Sequence, residues 1–190
     1  HNIFTPGNYF YNGVGHVTVK YDEVLKTGFR GIIDRTKSEL ESHSVGEPDY
    51  SVRHEFLKAV IISCEAAVTY AKRYAALARE LSQKESDIVR SRELLKIAEN
   101  CERVPEYGAR NFYEACQSFW FVQMLIQIES SGHSISPGRF DQYMYPYYKN
   151  DIVSGAITRE FAQELMDCIW VKLNDLNKAR DAASAEGFAG

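Results

Sequence analysis

The sequence has few cysteines, little proline, no membrane-length hydrophobic run and no strong excess of either charge. Its 190 residues include 4 cysteines and 5 prolines, and 22 basic against 26 acidic side chains leave a net charge of −4. The basic residues are scattered, which gives no electrostatic footprint for nucleic acid. The apolar run from Phe119 to Ile128 is about half of the roughly 20 residues that a membrane span needs. We therefore expect no nucleic-acid partner and no membrane partner.

The cysteine spacing excludes two further kinds of site. Cys64, Cys101, Cys116 and Cys168 lie far apart, no two of them form a CxxC pair, and each falls in a helical pattern. This arrangement argues against disulfides and zinc, and it favours reduced thiols in the core of a cytoplasmic protein. The first residues also lack the basic and apolar segments of a secretory signal.

The two ends of the sequence lead us to expect a piece of a larger protein. The chain begins with His1 rather than Met, and it stops at Gly190 soon after a strong helical pattern.

Helical periodicity is the main feature that the sequence does contain. Apolar residues recur every three or four positions over most of the chain, which predicts a mainly α fold with extended pieces near the N-terminus. The expected helices begin near Asp22, Ser51, Ser86, Asn111, Phe140 and Thr158, and the fifth is expected to end near Pro146. Asp22 and Ser51 are the expected N-caps of the first two helices.

A polar stretch from Glu129 to Asp141 follows the apolar run and precedes an aromatic cluster. Such a loop at the end of a buried helix either builds a site or ends the helix, with Gly132 at the C′ position. The segment from Gly13 to Val19 has two glycines before a histidine, and it is either a surface turn or a site loop. Gln123 and Gln127 share a helix face, and we expect their amides to pair within the core.

Several strings, taken in order, carry a family resemblance. They are Gly15-His-Val17, Ala71-Lys-Arg-Tyr-Ala75, Leu94-Leu-Lys-Ile-Ala-Glu-Asn-Cys101, Ala109-Arg-Asn-Phe-Tyr-Glu-Ala-Cys-Gln-Ser-Phe-Trp120, Gly132-His-Ser-Ile-Ser-Pro-Gly-Arg-Phe-Asp-Gln-Tyr143 and Trp170-Val-Lys-Leu-Asn174. Over its whole length the chain resembles the pyruvate formate-lyase-like domain of glycyl radical enzymes. The string Asn8-Tyr-Phe-Tyr-Asn-Gly-Val-Gly-His16 looks most like the cobalamin-independent glycerol and propane-1,2-diol dehydratases.

The resemblance implies the helical portion of a ten-stranded α/β barrel. It divides 1–190, a partial domain, into a substrate-side loop region at 1–20, a helical bundle at 22–130, a polar site loop with an aromatic segment at 131–148, and a C-terminal helix at 158–180. The family uses a glycyl radical, a thiyl cysteine and a carboxylate base two residues after that cysteine. No cysteine here has an acid two residues on, and no radical glycine loop is present. We therefore expect the chain alone to be inactive.

The resemblance also assigns site residues. By motif position, His16, His133 and Ser134 correspond to groups that hold the diol hydroxyls, and Asn8 is a weaker match. A donating imidazole beside the departing hydroxyl would lower the barrier to loss of water. His16 and His133 are the expected catalytic groups. His43 and His54 are expected to face solvent, and Arg139 with Asp141 to lock the loop.

The remaining expectations concern partners. The resemblance implies a small diol as substrate, no bound cofactor in this chain, a radical-SAM enzyme that installs the glycyl radical elsewhere in the protein, and a homodimer at full length. Two alternatives stay open: another glycyl radical lyase, of the hydroxyproline dehydratase or choline lyase type, or a helical binding or scaffold protein without catalysis.

Overall fold

A computed structural model describes residues 17–42, 44–46, 48–129 and 135–175. Six helices and two short strands follow one another along these ranges. They are β1 (Val17–Thr18), α1 (Tyr21–Ser42), α2 (Tyr50–Lys84), α3 (Ile88–Arg103), α4 (Phe112–Glu129), β2 (Ile135–Ser136), α5 (Phe140–Ser154) and α6 (Arg159–Asp175). The mainly α prediction is confirmed. In these ranges, none of the helices combines the length and hydropathy that crossing a bilayer requires.

Helix α1 is kinked at Gly28, whose φ of 67° lies outside the helical region. The kink presses α1 against the turn between α3 and α4. Phe29 N donates to the carbonyl of Pro105, Arg30 N donates to that of Glu106, and both N···O distances are 2.8 Å. A Cβ at Gly28 would lie 2.2 Å from the Glu106 oxygen, so only glycine allows this approach.

Helices α2 and α3 form an antiparallel hairpin that packs closely through small side chains. Ala71, Ala75 and Ala78 of α2 are buried, which lets the two helix backbones come near each other. The Asp87 carboxylate caps α3 by accepting from Val89 N at 2.8 Å.

Helix α4 lies at the centre of the main core. Its buried residues pack with α1, α5 and α6 in one apolar cluster that includes Leu25, Phe112, Phe119, Met144 and Leu165. The Asp151 carboxylate of α5 accepts from Phe112 N at 2.7 Å, so α5 caps the first turn of α4. The end of α4 is less covered, since Ile128 is exposed.

Five expectations about individual residues are wrong. Asp22 does not cap α1, which begins at Tyr21 and has Asp22 in its first turn. Ser51 does not cap α2, which begins at Tyr50 with Asp49 in the cap position. Phe56 fits the helical period but lies exposed, because the buried face of α2 is formed by Leu57, Cys64 and the alanines. Cys168 is exposed rather than part of the core. Helix α5 does not end near Pro146 but continues to Ser154.

Helix α5 tolerates Pro146 because the proline lies on its exposed side. A proline removes one backbone hydrogen bond, here to the carbonyl of Gln142, which also lies on the exposed side and can be satisfied by water. The helix then ends at Gly155, whose φ is 70° and whose N–H donates to the carbonyl of Ile152 at 3.2 Å.

The two strands form a parallel pair, with Val17 opposite Ile135 and Thr18 opposite Ser136. Ile135 is buried, whereas Val17 is 46% exposed. Parallel sheets are normally covered on both faces. The described part of the sheet is therefore open on the β1 side.

Candidate functional site

The four residues assigned from the resemblance, Asn8, His16, His133 and Ser134, lie outside the described residues, as does His43. The described structure resumes directly after His16 and directly after Ser134. Val17, which follows His16, opens β1, and Ile135, which follows Ser134, opens β2. Because these two positions are paired and the strands are parallel, the chain enters the sheet from the same end in both cases.

Two buried side chains in series, Tyr21 and Gln123, connect helices α1 and α4 to β2 through hydrogen bonds. Gln123 of α4 donates from Nε2 to the carbonyl of Ile135 at 3.1 Å. The Tyr21 hydroxyl of α1 donates to Oε1 of the same amide. Gln123 and Tyr21 are each 1% exposed. Gln123 therefore finds its partners within the core, and they are the Tyr21 hydroxyl and the backbone of β2.

The residues after β2 are held from α5 and from β1. The Tyr143 hydroxyl donates to the carbonyl of Pro137 at 2.7 Å. Gly138 has a φ of 64°, and a Cβ there would lie 2.5 Å from Cγ2 of Thr18. Ser136 Oγ accepts from Gly138 N at 3.0 Å. The segment 135–138 is thus located by contacts with three different elements.

Arg139 and Asp141 form the expected ion pair, with Nε of Arg139 and Oδ1 of Asp141 3.3 Å apart. The two side chains are 71% and 72% exposed. Hydrogen bonding to Arg139 lowers the pKa of the Asp141 carboxyl. An ion pair this exposed is a weak lock for a loop, so the firm anchors of this segment are Gln123 and Tyr143 instead.

His54 differs from its expectation. It is half-buried in the first turns of α2 and stacks on Tyr50, with ring centroids 5.2 Å apart. Its Nδ1 atom is buried and has no hydrogen-bond partner within the described ranges. His54 is therefore not a freely solvated side chain.

A second concave region lies between α2, α3, α4 and α6. This apolar groove has a volume of about 590 Å³, and Tyr70, Trp120 and Met124 help to line it together with Cys101, Cys116 and Cys168. Burial raises the pKa of Cys101 to about 12, so that thiol stays protonated and unreactive. The groove offers little polar surface for a diol, and across the described ranges no group of metal-ligating side chains converges.

Sequence reasoning missed Tyr21 and Tyr143 as functional candidates. Both carry hydroxyls in apolar patterns, and a buried phenol normally needs a hydrogen-bond partner. That rule alone could have raised the question of their partners. The answer depends on contacts between residues 102 positions apart, such as Tyr21 and Gln123.

Comparison with known proteins places this arrangement in a family. The chain overlays on a solved structure from work on 1,2-propanediol dehydration in Roseburia inulinivorans with a TM-score of 0.92 and 63% identity, over 100% of this chain and 23% of that one. It overlays on the glycerol-bound form of the B12-independent glycerol dehydratase from Clostridium butyricum with a TM-score of 0.89 and 57% identity, over 97% and 23%.

A curated relative agrees with these structures. The (2S)-3-sulfopropanediol dehydratase of Klebsiella oxytoca is 40% identical over 193 residues, which cover 99% of this chain and 23% of that protein. The chain therefore spans about a quarter of the length of these relatives. The fold class is confirmed as a helical portion of a larger glycyl radical enzyme domain. Residues 1–190 match the pyruvate formate lyase-like family throughout, and the chain belongs to that family.

Proposed function

We propose that this chain is the part of a glycyl radical diol dehydratase that supplies the hydroxyl-binding groups of the active site. The observation that carries the proposal is the parallel register of Val17 with Ile135, which follow His16 and Ser134 directly. The high identity to structures concerned with propane-1,2-diol and glycerol supports a small vicinal diol as the substrate.

In this proposal the two imidazoles bind the two hydroxyls of the diol. His16 and His133 donate hydrogen bonds to neighbouring hydroxyls, and a donated proton helps the departing hydroxyl to leave as water. Ser134 and Asn8 orient the diol through further hydrogen bonds. Hydrogen abstraction from the diol is supplied by the glycyl radical and its thiyl partner, which belong to residues outside this chain.

The proposal extends to partners of the full-length protein. A radical-SAM activating enzyme installs the radical, two copies form a homodimer, and the reaction takes place in the cytoplasm without oxygen. The strand β1, exposed on its outer side, supports completion of the sheet by chain segments beyond these 190 residues.

A second substrate is favoured by one observation. The Klebsiella oxytoca relative acts on a sulfonated propanediol, as its name states, and it aligns over 99% of this chain. The substrate panel for the full-length enzyme should therefore contain propane-1,2-diol, glycerol and (2S)-3-sulfopropanediol.

The histidine assignment is tested in the activated full-length enzyme. We expect His16→Ala and His133→Ala each to lower kcat/KM about 100-fold or more, the usual contribution of general acid–base groups, with little change in unfolding temperature. His54→Ala is the control, because His54 lies in the first turns of α2, where it stacks on Tyr50. Turnover of none of the three diols by the wild type would refute the function. Equal effects of all three substitutions would refute the site.

A further inference from the structure

Two side chains, Gln123 and Tyr143, donate hydrogen bonds to the backbone of segment 135–138, and Tyr21 in turn donates to Gln123. The Ile135 carbonyl can only accept, so the amide nitrogen of Gln123 must face it, at 3.1 Å. This leaves Oε1 of Gln123 to accept from the Tyr21 hydroxyl. The donor and acceptor of both hydrogen bonds are therefore fixed: the Tyr21 phenol donates to the Gln123 amide, and that amide donates to the strand carbonyl.

The second anchor is joined to the first by ring stacking. The Tyr143 hydroxyl donates to the carbonyl of Pro137 at 2.7 Å. Its ring stacks on that of Tyr21, with centroids 5.5 Å apart and planes 23° apart. Phe119 packs against Tyr21 at a centroid distance of 5.0 Å, so the pair is enclosed by the main core.

The environment keeps both phenols as donors. Burial raises the pKa of Tyr21 and of Tyr143 well above the ordinary value, and for Tyr143 the nearby Tyr21 adds to the rise. Both hydroxyls therefore stay protonated across the working range of any cytoplasmic enzyme. A buried amide or phenol that loses its partner is costly, which makes the arrangement rigid.

We propose that Tyr21, Gln123 and Tyr143 are positioning residues that set the backbone of segment 135–138, and through it the diol-binding groups at His133 and Ser134. This inference rests on the proposed function. The two hydrogen bonds reach alternate carbonyls of one short segment, Ile135 and Pro137, immediately after the diol-binding residues. On the other side a Cβ at Gly138 would lie 2.5 Å from Cγ2 of Thr18, so β1 also limits the position of the segment.

Such fixing matters for catalysis because a displacement of about 1 Å can lower a rate about 100-fold. Substitution of a residue that only stabilises the fold would not affect segment 135–138 more than the rest of the molecule. The structure offers a matched comparison. Tyr143 and Tyr147 both lie on α5 and both donate to backbone carbonyls, but Tyr147 reaches Leu25 of α1, at 3.0 Å, instead of the loop.

The experiment compares Tyr143→Phe with Tyr147→Phe in the full-length protein that carries this chain. Hydrogen exchange of the peptide covering residues 131–138 is measured first, because it needs no substrate. We expect exchange there to quicken roughly two- to tenfold in Tyr143→Phe, the effect of one lost hydrogen bond. Tyr147→Phe should leave that peptide unchanged. Equal exchange in the two variants overturns the proposal.

Turnover of the diol panel then tests the link to catalysis. At equal radical content, measured by electron paramagnetic resonance, kcat should fall about tenfold or more in Tyr143→Phe and by less than about twofold in Tyr147→Phe. Faster hydrogen exchange with an unchanged kcat would overturn the claim that this positioning contributes to catalysis. An inactive wild type refutes the proposed function alone, since exchange still decides the positioning. If Tyr143→Phe fails to fold, Gln123→Met, which keeps the side-chain length, replaces it.

Discussion

At the scale of single residues, Glu106 shows how this fold accommodates a buried charge. Its side chain is 6% exposed and pairs with Arg30 of α1 and Lys72 of α2. Burial by itself would raise the pKa of the Glu106 carboxyl, but hydrogen bonds from Arg30 and Lys72 outweigh it and the pKa is lowered. One carboxylate thus joins two helices to the turn that follows α3.

We expect Glu106→Gln to lower the free energy of unfolding by about 1 to 3 kcal/mol at pH 7, because it weakens hydrogen bonds to charged partners. The folded pKa lies below the ordinary value of 4.5. The stabilisation is therefore complete above pH 4.5 and is lost as the pH falls through the folded pKa. Urea unfolding across this range should show wild type and variant converging in acid.

Glu102→Gln is the control for this measurement. Glu102 forms a two-pronged pair with Arg79, at 2.6 and 2.7 Å, but its side chain is 47% exposed. Exposed pairs contribute little because water competes and screens. A loss as large as that of Glu106→Gln would contradict the role of burial.

Gln123 shows what could be predicted for a single residue from the sequence and what could not. The sequence shows an amide in an apolar helix, and buried polar groups must find partners. That much was predictable. Its partners, Tyr21 and the carbonyl of Ile135, could not be predicted, because local periodicity says nothing about which distant residue the fold brings near.

At the scale of elements, the existence of every described helix was predictable and most starting points were close. Helix α4 begins at Phe112 rather than Asn111, and α6 at Arg159 rather than Thr158. The kink in α1 was missed for a physical reason. Gly28 interrupts the helix because of the backbone at Glu106 and Tyr107, which belongs to another part of the sequence.

We expect Gly28→Ala to be strongly destabilising, by more than about 2 kcal/mol, because its φ of 67° and ψ of 177° lie in a region that only glycine adopts readily. A Cβ there adds backbone strain of roughly 1 to 3 kcal/mol to a backbone clash. Gly155→Ala is the comparison. Gly155 has a similar φ of 70° but a ψ of 17°, against 177° at Gly28, and a Cβ there meets nothing within 4 Å. It should therefore show only the smaller strain of left-handed backbone. Thermal unfolding of both variants checks this, and equal losses would exclude the clash.

At the scale of the whole molecule, the described residues form a helical body with a short two-stranded sheet whose strand β1 is exposed. The main core joins α1, α4, α5 and α6, while the apolar groove with α2 and α3 remains uncovered within the described ranges. The mainly α class followed from periodicity, and the family followed from quoted strings of residues. Which surfaces stay open could not be predicted, because that depends on packing between helices.

We expect the 190-residue chain by itself to show no dehydratase activity, even with a radical-SAM activating enzyme. It has no cysteine followed two positions later by an acid, and no radical glycine loop. Anaerobic incubation with propane-1,2-diol or glycerol and detection of the aldehyde measures this. The full-length protein under the same conditions is the positive control, and any aldehyde from the chain alone would contradict the expectation.

The parallel pairing of β1 with β2 has a consequence for folding during synthesis. Its two strands lie more than a hundred residues apart in the chain, and ribosomes add roughly 5 to 20 residues per second. Strand β1 therefore exists for roughly 6 to 24 s before its partner β2 is synthesised. During that interval the exposed edge of β1 can pair with the wrong strand. A nascent chain of this family is thus most vulnerable in the interval before β2 has been synthesised.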